Sequence, residues 1–510
     1  MPRYAAVDIG SNSVRMQAAE VVPGSPGRIL ASERQVTRLG ESVFRTGVIS
    51  PEAMDLACGV LSRMAGIYQG LDVVGVRAVA TSAVRDAQNQ EEFLERASRA
   101  LSSRVEVISG QEEARLIHLG VQARWPHNRH RILIVDIGGG SAELILSERG
   151  RLAEAFSKPL GAVRLTEAFL KHDPPEPADL HRMNEYIQEK LAAARRRFGA
   201  GPWDRAIATA ATASAVVCAV NRVSRSKRDG ADRLRATSGQ VRRFYEEVAR
   251  RDLAGRRKMT GIGPRRAEII VPGAALLLEV LRAFQLSSFY YSAAGVRDGI
   301  IADLAARRVG REVSQLAPEQ RKVVQWMARR YGVSVPHARK VAVLAHTLFE
   351  SLQPLHQLPP HLGKLLEAAA YLHDTGHFVS DTRHHKHSYY VIANSDMPGF
   401  TDRERLVIAN LCRYHRRAMP SAVHDNYQVL GGEEKRTVEL LAPLLRLADS
   451  LDRSHNQRIE SMECQIRDSG VALRLCSDAG IDLEEWAGER AAEVFQQVYK
   501  RPLTLERSWQ

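Results

Sequence analysis

Cysteine is scarce: five residues in 510 (Cys58, Cys218, Cys412, Cys464 and Cys476), odd in number, far apart and without a CxxC pair. A disulfide scaffold is excluded, and a reducing cytoplasm is the expected setting. Aromatic residues make up only 6%, and no Lys/Arg block carries interleaved aromatics, so binding of single strands by base stacking has little support. No apolar run approaches the roughly 18 residues that span a bilayer. The opening Met1-Pro2-Arg3-Tyr4-Ala5-Ala6-Val7-Asp8 lacks the basic-then-apolar profile of a secretory leader and enters a strand at once. Acid is in deficit: 59 Asp+Glu against 72 Lys+Arg leave a formal charge of +13. A basic field concentrates anions in a cleft, and phosphate recognised without bases fits it best. The apolar share of 44% is ordinary for a chain that buries a core, and the length predicts about three or four domains.

What is present is a repeat. Residues 7–13 read Val-Asp-Ile-Gly-Ser-Asn-Ser, and residues 135–141 read Val-Asp-Ile-Gly-Gly-Gly-Ser. Each heptad lies between two short apolar stretches, which predicts strand, glycine turn, strand, twice over. Two such hairpins opening two similar α/β units predict a two-lobed body with a cleft between the lobes. In such turns backbone N–H groups and hydroxyls converge on phosphate oxygens, while the strand-end carboxylate holds a hydrated divalent cation. The candidates are Asp8, Gly10, Ser11, Asn12 and Ser13, then Asp136, Gly138, Gly139, Gly140 and Ser141. Glu143 shares the strand face of Ser141 and joins Asp136 as a candidate metal ligand.

A second signal lies in Ser109-Gly110-Gln111-Glu112-Glu113-Ala114-Arg115. Ser109 followed by Glu112 reads as a capping box, which starts a helix and assigns the Glu112 carboxylate to the backbone. Glu113 points about 100° further round and has no such duty. A carboxylate at a helix start, where phosphate oxygens also settle, is placed to orient and deprotonate an attacking water.

Domain limits follow from composition. The first lobe is expected over 1–125, ending where Trp125-Pro126-His127-Asn128 reads as a linker, and the second over 126–308. Apolar positions at helical spacing in Val341–Leu352 and Leu365–Leu372 mark an all-helical domain over 309–458. Alternation around Asp468-Ser469-Gly470, a helix over 484–499 and a strand over 503–505 predict a small α+β module over 459–510.

The motifs VDIGSNSVRM, ATSAVRDAQN, ISGQEEARLI and VDIGGGSAELIL, in this order, resemble those of the exopolyphosphatase / guanosine pentaphosphate phosphohydrolase (Ppx/GppA) family. PGAALLLEVL, GVRDGII, the helical block and the tail extend the likeness over nearly the whole chain. The resemblance implies two actin-like (ribonuclease H-like) α/β lobes around a cleft, an HD-like helical domain and a homodimer. It also implies Mg²⁺-dependent release of terminal phosphate from inorganic polyphosphate or guanosine pentaphosphate. Glu113 matches the family's catalytic glutamate, Asp136 and Glu143 its metal and water-positioning acids, the glycine turns its phosphate loops, and Arg85 a phosphate-contacting arginine. One stretch departs: where the family has Gly-Thr/Ala-Ser-Gly-Thr, this chain reads Ala208-Thr209-Ala210-Ala211-Thr212. Any left-handed backbone there is expected to be strained, and with it ordinary exopolyphosphatase geometry is in doubt. That departure keeps a non-catalytic polyphosphate or alarmone sensor as an alternative; a nucleotide-dependent kinase of the same superfamily is a further rival.

In the helical block, His373-Asp374 with His346 upstream and Asp449 downstream is a candidate set for Mn²⁺, Fe²⁺, Zn²⁺ or Mg²⁺. Its order resembles the HD-domain phosphohydrolases, which implies hydrolysis of a signalling nucleotide as another alternative. His384, His385, His387 and His415 lie near in sequence. The basic residues Arg383, Lys386, Arg413, Arg416 and Arg417 are expected either to guide a long polyphosphate chain or to form a solvated surface.

Overall fold

Unbroken apolar runs at Tyr4–Val7 and Ile132–Val135 build strands buried on both faces, as central strands covered by helices must be. The computed structural model describes residues 1–21, 27–199, 201–224, 227, 230–308 and 315–508, and the chain divides into two compact units, Met1–Val309 and Gly310–Gln510.

The first unit holds two sheets. One contains β1 (Arg3–Ile9), β2 (Ser13–Glu20), β3 (Arg28–Val36), β4 (Gly75–Ala80) and β5 (Val105–Val107) in the order β3-β2-β1-β4-β5. The other contains β6 (Arg131–Ile137), β7 (Ala142–Glu148), β8 (Arg151–Lys158), β9 (Arg205–Thr209), β10 (Arg235–Thr237) and β11 (Ser288–Tyr291) in the order β10-β11-β9-β6-β7-β8. Read from β8, the second sheet repeats the first: two antiparallel pairings, then two parallel ones. Register slips at the same place in each copy, between Ala18 and Ala19 and between Leu146 and Ser147. The repeat seen in the two heptads therefore extends to topology and to the local bend of the strands.

One helix sits between the sheets. Gly110–Arg124 packs Ala114, Ile117 and Val121 against Ile132, Ile134, Ile145 and Ile207 of the second sheet. Its Leu116 clusters with Ala6 and Val79 of the first sheet and with Ile300 and Ile301. The helix Val296–Arg308 therefore returns to the first sheet, although the expected second lobe ran through residue 308. Its Ile300 and Ile301 are buried there with Ala6, Ala19 and Val79. Gly120 and Gly299 let the two helices cross at backbone distance: a Cβ on Gly299 would stand 1.8 Å from the Leu116 carbonyl oxygen. Beside the crossing, Arg77 pairs with Glu112 and Asp303 at 3.1 Å each, and Arg115 reaches the same two acids at 2.8 and 2.9 Å. Nor is 125–128 a loose linker: Trp125 packs edge-on against Tyr290, and buried His127 bonds the Ser147 hydroxyl at 2.8 Å.

In the second unit the helices share one core with the three-stranded sheet β12 (Ser461–Arg467), β13 (Gly470–Cys476) and β14 (Leu503–Ser508). Val471, Leu473, Leu475 and Phe495 pack into the same cluster as Leu344, Leu348 and Leu444, so residues 459–508 do not build a core of their own. Among the described residues, no helix is long and apolar enough to cross a membrane.

Replacing Gly299 by alanine forces the two helices apart and should destabilise the protein by about 1–3 kcal/mol or more, read as a lower midpoint in chemical denaturation; an unchanged midpoint would contradict the close crossing.

Candidate active site

The two hairpin turns are built alike. The Gly10 N–H donates to the Ser13 carbonyl at 3.2 Å, and the Gly138 N–H to that of Ser141 at 3.0 Å. They also meet: a Cβ on Gly139 would lie 3.0 Å from Ser11 Cβ, and one on Gly140 2.7 Å from Ser11 Oγ. Between them is a cavity of about 90 Å³, lined by Gly10, Ser11, Asn12, Ser13, Gly138, Gly139, Gly140 and Ser141 with Asp8, Glu113 and Asp136. Three arginines that sequence reasoning passed over line it too: Arg15, Arg266 and Arg297. Arg15 was legible, since it lies two residues past Ser13 on one strand face. Arg297 falls inside the GVRDGII motif, whereas Arg266 carries no local signal and arrives through the tertiary fold.

Across the first hairpin Asp8 opposes Arg15, and across the second Asp136 opposes Glu143. Glu143 is fully buried and stands behind the cavity wall, accepting from Ser157 Oγ at 2.8 Å. Asp136 accepts from the Thr209 hydroxyl. At the helix start, Ser109 Oγ accepts from the Glu112 N–H at 3.2 Å, but only half of the capping box forms. The Glu112 carboxylate turns away to Arg77 and Arg115, because two buried guanidinium groups outcompete one backbone N–H for it. Glu113 does face the cavity. Its Oε2 is buried without a hydrogen bond and lies 3.8 Å from Arg85 Nη1, which itself donates to the Ile108 carbonyl at 2.6 Å. Arg85 therefore stands beside Glu113 and outside the cavity lining.

This crowd of acids shifts its own titration. Burial, then the neighbouring Glu143 charge, holds Glu113 well above the usual carboxylate range, with Arg85 pulling the other way. Burial and Asp136 push Glu143 up to about 8, and burial raises Asp8 and Asp136 as well. The all-oxygen donor set, with Glu113 Oε2 and Glu143 Oε2 both unpartnered, suits a hard divalent cation.

The departing stretch is resolved residue by residue. Ala208 ends up inside β9 and Ala211 inside the helix Ala210–Val220, so neither glycine-to-alanine change falls on a left-handed position. The left-handed residue is Ala210, at φ +64°, and it lines the cavity.

In the second unit the histidine set differs from the expected one. His373, Asp374 and Asp449 come together, but His346 does not: it is half-buried, with Nε2 3.1 Å from Gln315. His337 takes that place, with Nε2 3.4 Å from Asp449 Oδ1. Nine positions apart at about 100° per residue, His337 and His346 occupy opposite faces of the helix Val335–Ser351. His337 shares its face with buried Val341, Leu344 and Leu348, a periodicity that could have found it. His384 and His415 join the cluster, while His385 borders a separate depression of about 300 Å³ with Arg383, Lys386, Arg413 and Arg417.

Paired sheets that each present an acid-bearing strand and a glycine/serine turn to one cleft are the actin-like arrangement. A family model described as the Ppx/GppA phosphatase family matches residues 18–308, and one for domain III of the same phosphatases matches residues 320–487. The chain belongs to the Ppx/GppA phosphatase family. It is 28% identical over 479 residues to a guanosine-5'-triphosphate,3'-diphosphate pyrophosphatase of Vibrio parahaemolyticus, covering 94% of this chain and 92% of that one. A protein of the same name from Vibrio atlanticus is 27% identical over 508 residues, covering 99% and 98%. Among solved structures, the Aquifex aeolicus family member is 29% identical with a TM-score of 0.54, over 61% of this chain and 99% of that one. An exopolyphosphatase from Cytophaga hutchinsonii is 26% identical with a TM-score of 0.56, over 60% and 98%.

Two outcomes are expected. Glycine at position 210 relieves the left-handed alanine and should stabilise the protein by about 1 kcal/mol, measured by denaturant titration. Without divalent cations, the folded chain keeps a proton on Glu143 that the unfolded chain releases near pH 4.5. That contribution to stability is complete below 4.5 and is lost as pH rises through about 8. Between pH 6 and 9 the melting temperature should therefore fall, and Glu143→Gln should flatten the slope; an equal slope in both proteins would contradict the shift.

Proposed function

We propose that the cleft hydrolyses terminal phosphoanhydride bonds in a Mg²⁺-dependent reaction, releasing orthophosphate from inorganic polyphosphate first and guanosine pentaphosphate second. The observation that carries the reading is Glu113: a buried carboxylate with a free oxygen, raised in pKa, facing a cavity walled by two glycine/serine turns. The names of the relatives support the substrate class, and the +13 net charge supports polyanion capture.

A terminal phosphoryl group seated between the turns meets the Ser11, Ser13 and Ser141 hydroxyls and the guanidinium groups of Arg15, Arg266 and Arg297. These groups neutralise charge that spreads over the equatorial oxygens as the anhydride breaks. Asp136, with Glu143 behind it, would hold Mg²⁺, which when bound supplies charge neutralisation at the phosphate oxygens. Glu113 takes the proton of the attacking water; a raised pKa brings its basicity closer to working pH, where general bases act best. Arg85, 3.8 Å away, orients that carboxylate and pulls its pKa down against the effect of burial. The cytoplasm as setting and a homodimer as assembly belong to the same proposal; the first rests on the scarce, scattered cysteines and the second on the family resemblance.

Orthophosphate release from long-chain polyphosphate and from guanosine pentaphosphate, with Mg²⁺, compares the native protein with Glu113→Gln. Release should fall by about 10²–10⁴-fold in the variant with substrate binding retained. Equal turnover would remove Glu113 from the chemistry, and binding of either ligand without release by the native protein would favour the sensor.

A further inference from the structure

The histidine cluster of the second unit is built for ligation, and it is independent of the cleft. His337 and His373 are both 0% exposed, and the Nε2 atom of each is buried with no hydrogen-bond partner. Their other nitrogens are tied down: His337 Nδ1 to Asp452 Oδ2 at 2.8 Å, and His373 Nδ1 to the Ala370 carbonyl at 2.8 Å. His377 Nδ1 is likewise held by Asp381 at 2.6 Å, and His415 Nδ1 by the Cys412 carbonyl at 2.7 Å. An imidazole whose Nδ1–H donates to oxygen presents a lone pair at Nε2, the tautomer a metal ion requires.

Those lone pairs converge on Asp374 from two sides. His337 and His373 Nε2 lie 3.9 and 3.5 Å from its Oδ2, and 3.4 and 3.3 Å from Asp449 Oδ1. His377 and His384 Nε2 lie 3.5 and 3.6 Å from its Oδ1, and His384 Nε2 faces His415 Nε2 at 3.2 Å. Most of these separations are long for N–H···O bonds, which favour about 2.7–3.2 Å. Those at 3.2, 3.3 and 3.4 Å match ligands about 2.0–2.1 Å from a shared ion, whose mutual spacing is about 3.0–3.4 Å, and the others, at 3.5–3.9 Å, are wider.

The cluster opens into a cavity of about 650 Å³ bordered by Arg416, Arg417, Arg446, Arg453, Arg490 and Trp486. None of these arginines has a carboxylate partner among the described residues, and Arg446 Nε is buried without any. A cavity of that size accommodates a nucleotide, and guanidinium groups without a salt-bridged carboxylate beside metal ions select phosphate oxygens.

We propose that the helical unit binds two divalent transition-metal ions bridged by Asp374, the first held by His337, His373 and Asp449 and the second by His377, His384 and His415. The pair, with its arginine rim, takes a phosphate monoester of nucleotide size as ligand. The imidazole-rich donor set favours Mn²⁺, Fe²⁺, Co²⁺ or Zn²⁺ over Mg²⁺.

Full-length protein titrated with Co²⁺ and followed by visible absorption tests both parts. The native chain and Asp136→Asn should show the same imidazole-type absorption, with two equivalents accounting for it. His377→Ala, altered at a half-exposed position, should lose the second equivalent, and His373→Ala the first. Adding adenosine 5'-monophosphate should shift the spectrum, with binding weakened tenfold or more in Arg453→Ala. Absorption unchanged in both histidine variants, or lost in Asp136→Asn, would overturn the metal site. A spectrum indifferent to the monophosphate would overturn the ligand.

Discussion

Four carboxylates buried against one another set the terms for the first unit. Asp8, Glu113 and Asp136 are each no more than 9% exposed, and Glu143 is fully buried. Desolvation raises all four, and repulsion from a neighbouring acid adds to it at Glu113, Asp136 and Glu143. Such a group persists only where the surrounding structure over-determines it. Each hairpin carries one acid at a strand end, and the second adds Glu143 on the paired strand. The fourth arrives on a helix clamped between two sheets, by a glycine crossing and by the Arg77–Glu112–Arg115–Asp303 network beside it. Loosening that helix would move Glu113 relative to the other three.

The duplicated hairpin is chemically asymmetric at one position. Arg15 and Glu143 occupy equivalent places, each opposite the strand-end acid of its own copy. The first copy therefore offers a cation and the second a pair of acids. The proposed phosphate chain with its cation would use both characters. Divergence at a single register position turns a repeated structural element into a site with two sides.

Much of this was legible in the chain. Two heptads were enough to predict two hairpins, and the structure has them in register, with the same strand order continuing beyond. Ser109 marked the helix start that aims Glu113 at the cavity. What escaped depended on distant partners. The Glu112 carboxylate, read locally as a capping group, is claimed by arginines on β4 and its own helix. The helix Val296–Arg308 joins the first sheet because its apolar face fits there, which no local pattern reveals. His346 stands upstream of His373-Asp374 in the expected order, but helical phase puts it on the wrong face and His337 on the right one. At 208–212 the strain expected for alanine is present, but on Ala210, because β9 extends through Ala208 and pushes the left-handed residue past the strand end.

If the buried carboxylates form the proposed cation site, calorimetric titration of Mg²⁺ at pH 7, in two buffers of different ionisation enthalpy, tests it most directly. The expected result is one Mg²⁺ bound with release of protons, since Glu143 is largely protonated at that pH, and loss of the binding heat in Asp136→Asn. Binding without proton release, or equal heats in the native protein and the variant, would contradict it.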